Sequence, residues 1–125
     1  MEKILIEDEY ITVSEKDKII TLTWKDATSH FTNELFKQEA LKYVETIKTS
    51  EVKKIIVDMR KFFFNLSDEI IEWRNKNIIY IYNEYKIEKF AFISNIATIN
   101  QDNPKNTFIT KTFTNKEEAK NWIKL

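Results

Sequence analysis

The sequence predicts a single α/β domain over residues 1–125, a mixed β-sheet covered by helices. Three observations lead there. Near the N-terminus two β-branched, alternating segments flank a polar turn, the pattern of a hairpin. Two short apolar runs, residues 54–59 and 89–94, are too brief for helices and each follows a segment with helical character, which suggests parallel strands joined by crossovers. The chain contains no repeat and no Gly/Ser linker, and 42% hydrophobic and 14% aromatic residues in 125 supply one self-sufficient core.

Taken in order, Tyr10-Ile11-Thr12-Val13 and Ile19-Ile20-Thr21-Leu22-Thr23-Trp24 form the hairpin strands, separated by Ser14-Glu15-Lys16-Asp17-Lys18. A polar loop over residues 25–32 follows. Phe36, Ala40, Tyr43, Val44 and Ile47 then fall on one face at helical spacing and predict a helix from Asn33 to Lys48. Lys54-Ile55-Ile56-Val57-Asp58-Met59 reads as a buried strand. Ser67, followed by Asp68 and Glu69, has the form of an N-cap before an acidic first turn, with Leu66 and Ile71 spaced as a hydrophobic staple. The second helix starts there. Ile78-Ile79-Tyr80-Ile81-Tyr82 either continues it or, having strand-like composition, pairs with the buried strand Lys89-Phe90-Ala91-Phe92-Ile93. Residues 106–113 alternate like a peripheral strand. Before them lies a polar loop, residues 95–105, holding the only proline, Pro104, and read as a mobile segment rather than a lid. Thr114-Asn115-Lys116-Glu117 fits a capping box, and Ala119, Trp122 and Ile123 complete a terminal helix docked by its tryptophan.

Composition excludes several chemistries. The chain has no glycine, so the glycine backbones of phosphate loops, dinucleotide fingerprints and nucleophile elbows are missing. It has no cysteine, which removes disulfides, thiolate nucleophiles and the usual structural zinc sites. The single histidine, His30, precludes a two-histidine metal centre and is read as a loop or helix-start residue. Neither metal nor cofactor is expected. Basic and acidic residues balance at 20 each, so no long-range field attracts nucleic acid, and Lys61-Phe62-Phe63-Phe64 reads as core aromatics rather than a base-stacking platform. No window has the apolar length of a membrane span or a signal-peptide core, and a cytoplasmic location is expected.

Ile55-Ile56-Val57-Asp58-Met59-Arg60, followed by Phe62, Phe64, Ser67-Asp68-Glu69 and Glu72-Trp73, resembles small bacterial domains of the SpoIIAA-like, or STAS/SEC14-like, group. Lys89-Phe90-Ala91-Phe92 and Phe113-(x3)-Glu117-Glu118-Ala119-(x2)-Trp122-Ile123 extend the match in order and spacing. The resemblance implies a STAS-like mixed sheet with an N-terminal hairpin and helices packed mainly on one face, and it favours helix over residues 78–82. In relatives that act as anti-sigma-factor antagonists, a serine at the start of the helix after the central strand is phosphorylated by a partner kinase, and Ser67 occupies the similar place. Those relatives show Asp-Ser-Ser/Thr-Gly where this chain reads Asn65-Leu66-Ser67-Asp68, and Asp68 and Glu69 would repel a phosphate, so the residues favour a plain N-cap.

Two places carry the remaining functional expectations. Asp58 stands near the carboxyl end of a parallel strand with Arg60 on its face, either as a structural ion pair or as a ligand-facing one. On the second helix, Ile70, Ile71, Ile78, Ile81, Tyr82 and Tyr85 form an apolar stripe, Trp73 and Tyr80 form a second patch, and Arg74 falls inside the stripe. Arg74 must therefore snorkel, pair with an acid such as Asp58, or face a polar cavity. The Trp73–Tyr80 patch is either a second packed face of one core, a homodimer or partner contact, or one wall of an apolar pocket. The leading expectation is a non-enzymatic regulatory or protein-interaction domain. The alternative is a carrier or sensor of a small apolar or amphipathic, lipid-like ligand, its acidic head on Arg74 or Arg60, an idea that lipid binding by SEC14-like relatives supports by analogy. A third is a cofactor-independent enzyme with Asp58 as acid or base, which requires a raised Asp58 pKa in an open cleft.

Overall fold

A six-stranded mixed sheet runs through the computed structural model, which describes residues 2–95 and 105–125. Its strands lie side by side in chain order: β1 (Lys3–Glu7), β2 (Ile11–Lys16), β3 (Ile19–Trp24), β4 (Lys54–Asp58), β5 (Lys89–Ile93) and β6 (Ile109–Phe113). The first three pair antiparallel and the last four, from β3 onward, pair parallel. The helices are α1 (Asn33–Lys48), α2 (Asp68–Arg74), a π-helical turn (Asn75–Ile79), α3 (Tyr80–Glu84) and α4 (Lys116–Ile123). Right-handed helical backbone persists through Arg74, Asn75, Ile79 and Tyr80, so α2, the π turn and α3 form one rod.

The expected hairpin is present but tighter than predicted, because Ser14, Glu15 and Lys16 belong to β2 and the turn shrinks to Asp17-Lys18. Both turn residues have positive φ, 54° and 63°, as a two-residue hairpin loop requires. β1 was not foreseen. It is an edge strand with an irregular register between Ile4 and Ile6, and its core-facing residues are only half-buried. Residues 78–82 are helical, not a strand pairing with β5, and the last strand begins at Ile109 rather than at 106. The loop predicted over residues 95–105, Pro104 included, lies outside the described residues except for its two ends.

Helix ends follow side-chain chemistry. The Thr32 hydroxyl accepts from the Leu35 N–H at the start of α1, and Ser67 accepts from the Ile70 N–H at the start of α2. Ile71, the expected staple partner of Leu66, is 41% exposed, and it is Ile70 that is fully buried. At α4 the cap is Asn115, whose carbonyl oxygen accepts from Glu117 and Glu118 N–H, one residue after the threonine of the predicted capping box. The rod ends in a Schellman motif: the Ile87 N–H donates to the Tyr82 carbonyl and the Lys86 N–H to that of Asn83. Lys86 there takes φ 58°, where most helices place glycine.

Core packing is two-sided. The parallel crossovers through α1 and through the rod add strands in one direction, so their common handedness leaves both on the same face. There Ile20, Leu22, Ile55, Val57 and Phe90 meet Phe36, Tyr43, Ile47, Ile70 and Tyr82 in one apolar cluster. α4 follows the last strand and covers the opposite face, burying Ala119 and Ile123 on Ile56, Ala91 and Ile93. Helices therefore occupy both faces, with the two longer layers on one. Phe62 and Phe64 pack on Phe31 and Phe36, whereas Phe63 is 55% exposed.

Asp8 ties the β1–β2 turn to α1. Its carboxylate accepts the Tyr10 and Ile11 N–H groups and pairs with Lys42, which also reaches Glu39 at 2.8 Å. Glu39 Oε1 is buried without a hydrogen-bond partner among the described residues. Burial, and then the neighbouring Asp8, raise the Glu39 carboxyl above its ordinary value. Glu39 thus holds its proton more tightly folded than unfolded, and its contribution to stability declines as pH rises from 4.5 through the raised value. Glu39→Gln keeps an oxygen for Lys42 and turns an N–H towards Asp8. Urea titrations should show it more stable than wild type by about 1 kcal/mol at pH 7, with the gap closing below pH 4.5. Lys86→Gly, which relieves the left-handed backbone, should add about 0.5–1 kcal/mol at either pH.

Candidate ligand-binding site

Strand alternation decides which side chains meet. Phe90 and Phe92 of β5 and Thr110 and Thr112 of β6 are in register and project to the face that carries the rod. Between the rod and these strands opens a cleft of about 810 Å³, with Arg74, Asn75, Tyr80 and Asn83 on one side and Phe92 and Thr112 on the other. Deeper, between α1, the rod and β3–β5, lies an apolar cavity of about 170 Å³ walled by Trp24, Phe36, Tyr43, Tyr82 and Phe90. Met59, Arg74, Phe90 and Phe92 line both spaces. Arg74 therefore stands at the boundary between an apolar interior and a cleft of mixed polarity.

Arg74 is half-buried; its guanidinium sits 5.9 Å from the centroid of the Phe92 ring and makes no hydrogen bond or ion pair with another described residue. Asp58 is not its partner, because Val57 faces the rod and Asp58 faces the other side of the sheet. There Asp58 is held by Arg60 through Nε at 3.0 Å, Nη2 at 2.8 Å and the backbone N–H at 3.1 Å. Burial alone would raise the Asp58 carboxyl, but the Arg60 side chain and N–H outweigh it and hold it below the usual range. An anionic, bidentate aspartate is poorly suited to acid–base work.

Besides Arg74, two hydroxyl-bearing side chains line the inner cavity, Tyr43 and Tyr82. The Tyr43 and Tyr82 hydroxyls lie 2.5 Å apart, both residues being at most 2% exposed. Burial pushes both phenols up, against a smaller opposite pull from the Arg74 charge, so both are neutral. One hydroxyl hydrogen is spent between them, and the other has no acceptor among the described residues.

The π turn arranges this site. In an unbroken α-helix Trp73 and Tyr80, seven residues apart, would share a face; the extra residue of the π turn rotates one relative to the other by roughly 100°. Trp73 packs against Phe36 of α1, with the Lys37 ammonium over its ring, while Tyr80 is 57% exposed at the cleft. They do not form one patch. The Asn77 side-chain amide donates to the Trp73 carbonyl at 2.9 Å, the acceptor that a regular helix would give to the Asn77 backbone N–H. Ser67 is exposed and occupied as an N-cap. His30 closes a short 3-10 turn (Asp26–His30) away from both cavities. Asn75, Asn83 and the tyrosine pair escaped the sequence reading; the one available signal was a tyrosine on the apolar stripe of each of two helices, since a buried phenol needs a partner.

Among the described residues no cluster of His, Cys, Asp or Glu is arranged to hold a metal ion, and no helix is long and apolar enough to cross a membrane. Compared with protein-family models, curated proteins and solved structures, the chain finds no match. The site's own chemistry then carries the argument.

The Asp58–Arg60 pair should behave as a structural link. Its stabilisation is present above pH 3.8 and lost as pH falls through the lower folded value. Asp58→Asn should therefore cost about 1–2 kcal/mol at pH 7 in chemical denaturation, a modest figure because Arg60 is 39% exposed, and the difference should shrink at pH 3.

Proposed function

We propose that this domain is a non-enzymatic carrier or sensor of a small amphipathic ligand, bound beside the α2–α3 rod with an acidic group at Arg74 and an apolar part in the inner cavity. One observation carries the reading: a half-buried arginine, unpaired among the described residues, on the wall shared by an apolar cavity and a cleft of mixed polarity. A half-buried cation gives up part of its hydration, the Phe92 ring offsets that only in part, and an anionic ligand supplies the missing counter-charge. The combined space is of a size and character that suit small-molecule binding. Membership of the SpoIIAA-like, STAS/SEC14-like group belongs to the same proposal; the mixed sheet, its N-terminal hairpin and the two helical layers on one face accord with it. A regulatory role through a protein partner fits the same site, since Tyr80 lies exposed at the cleft rim, where occupancy alters the surface.

The test is native mass spectrometry on protein purified gently from its own organism. Wild type should carry excess mass that Arg74→Met lacks, and the extracted molecule, returned at about 100 times its Kd, should stabilise wild type by about 2.7 kcal/mol, a shift of several degrees in Tm. A bare wild type that cell extract also fails to stabilise would rule the reading out.

A further inference from the structure

The two cavities and the tyrosine pair together specify the ligand more closely, given the reading of the cleft as its binding site. The inner space of about 170 Å³ is slightly larger than an apolar protein cavity that holds benzene, so it admits one ring or a short chain. Its walls, Trp24, Phe36, Phe90 and Phe92, are aromatic and favour a flat body. At its mouth stands a cation, Arg74. Tyr43 and Tyr82 line the cavity too, and their paired hydroxyls carry two hydrogens, only one of which has an acceptor among the described residues. A buried donor left without an acceptor is a destabilising feature, and an oxygen on an occupant of the cavity would satisfy it.

We propose that the ligand is a two-ended acid: a carboxylate at Arg74, a compact aromatic body in the inner cavity, and at the far end an oxygen that accepts a hydrogen bond from the Tyr43–Tyr82 pair. Hydroxy- or oxo-substituted aromatic acids are the class that fits. The carboxylate end opens on the larger cleft, where Asn75 and Tyr80 leave room for a polar extension of the molecule.

Calorimetric titration of the full chain with benzoate, 4-hydroxybenzoate and phenol separates the parts. 4-Hydroxybenzoate should bind about tenfold more tightly than benzoate, the worth of one hydrogen bond. The double variant Tyr43→Phe/Tyr82→Phe should lose that advantage and keep the benzoate affinity, while Arg74→Met should weaken both acids and leave phenol unchanged. Equal affinities of the two acids for wild type, an advantage that survives in the double variant, or no binding of either acid would overturn the two-ended ligand. The comparison within wild type stands even if the double variant fails to fold. If Arg74→Met weakens the acids but the hydroxyl makes no difference, only this inference falls. If Arg74→Met leaves acid binding unchanged, the proposed function falls with it.

Discussion

β4 is apolar and buried on both faces, and this constraint organises the rest of the chain. Ile55 and Val57 need cover on one side and Ile56 on the other, so neither a single helical layer nor an open sheet suffices. The uniform handedness of parallel crossovers places α1 and the rod side by side on the first face. Only α4, which bridges no pair of strands, is free to close the second. Two helices laid across the same strands leave a seam, and large aromatic side chains do not fill a seam evenly. The inner cavity lies along that seam, and the outer cleft opens on the far side of the rod, between it and β5–β6.

Charge is handled in two opposite ways within the domain. Asp58 and Arg60 satisfy one another, and Asp8, Glu39 and Lys42 close a second network at the β1–β2 turn. Both serve as struts: each fastens a loop or helix to the sheet. Arg74 is the exception, held by an aromatic ring and by no carboxylate among the described residues. The contrast within one small domain is what marks Arg74 as a recognition element rather than another strut.

Much of the scaffold could be read from residues alone. The α1 limits agree at both ends because Thr32 caps a segment whose Phe36, Ala40, Tyr43 and Ile47 keep a clean 3.6-residue period. β4 and β5 were legible as short apolar runs, and Ser67 as a cap, since these signals are local. β1 escaped because Lys3 and Glu7 bracket only three apolar residues and an edge strand lacks the strict alternation of a half-buried one. Arg74 was conspicuous as a charge inside an apolar stripe, although its surroundings depended on which way the rod turned. That turn hid the rest: no side-chain preference announces a π segment, and a regular period wrongly joined Trp73 to Tyr80. The tyrosine pair joins residues 39 positions apart, beyond the reach of any local pattern.

The π turn is, in effect, a one-residue insertion absorbed by a helix. A homologous chain shorter by one residue between positions 73 and 80 would restore the ordinary hydrogen-bond ladder, and everything C-terminal to it on the rod would swing by about a quarter turn. Tyr82 would leave Tyr43, and Tyr80 would leave the cleft, with neither residue having changed. Helix length is thus part of what builds the pocket, and between two aligned chains a single gap in this stretch would record a difference that residue identity would conceal.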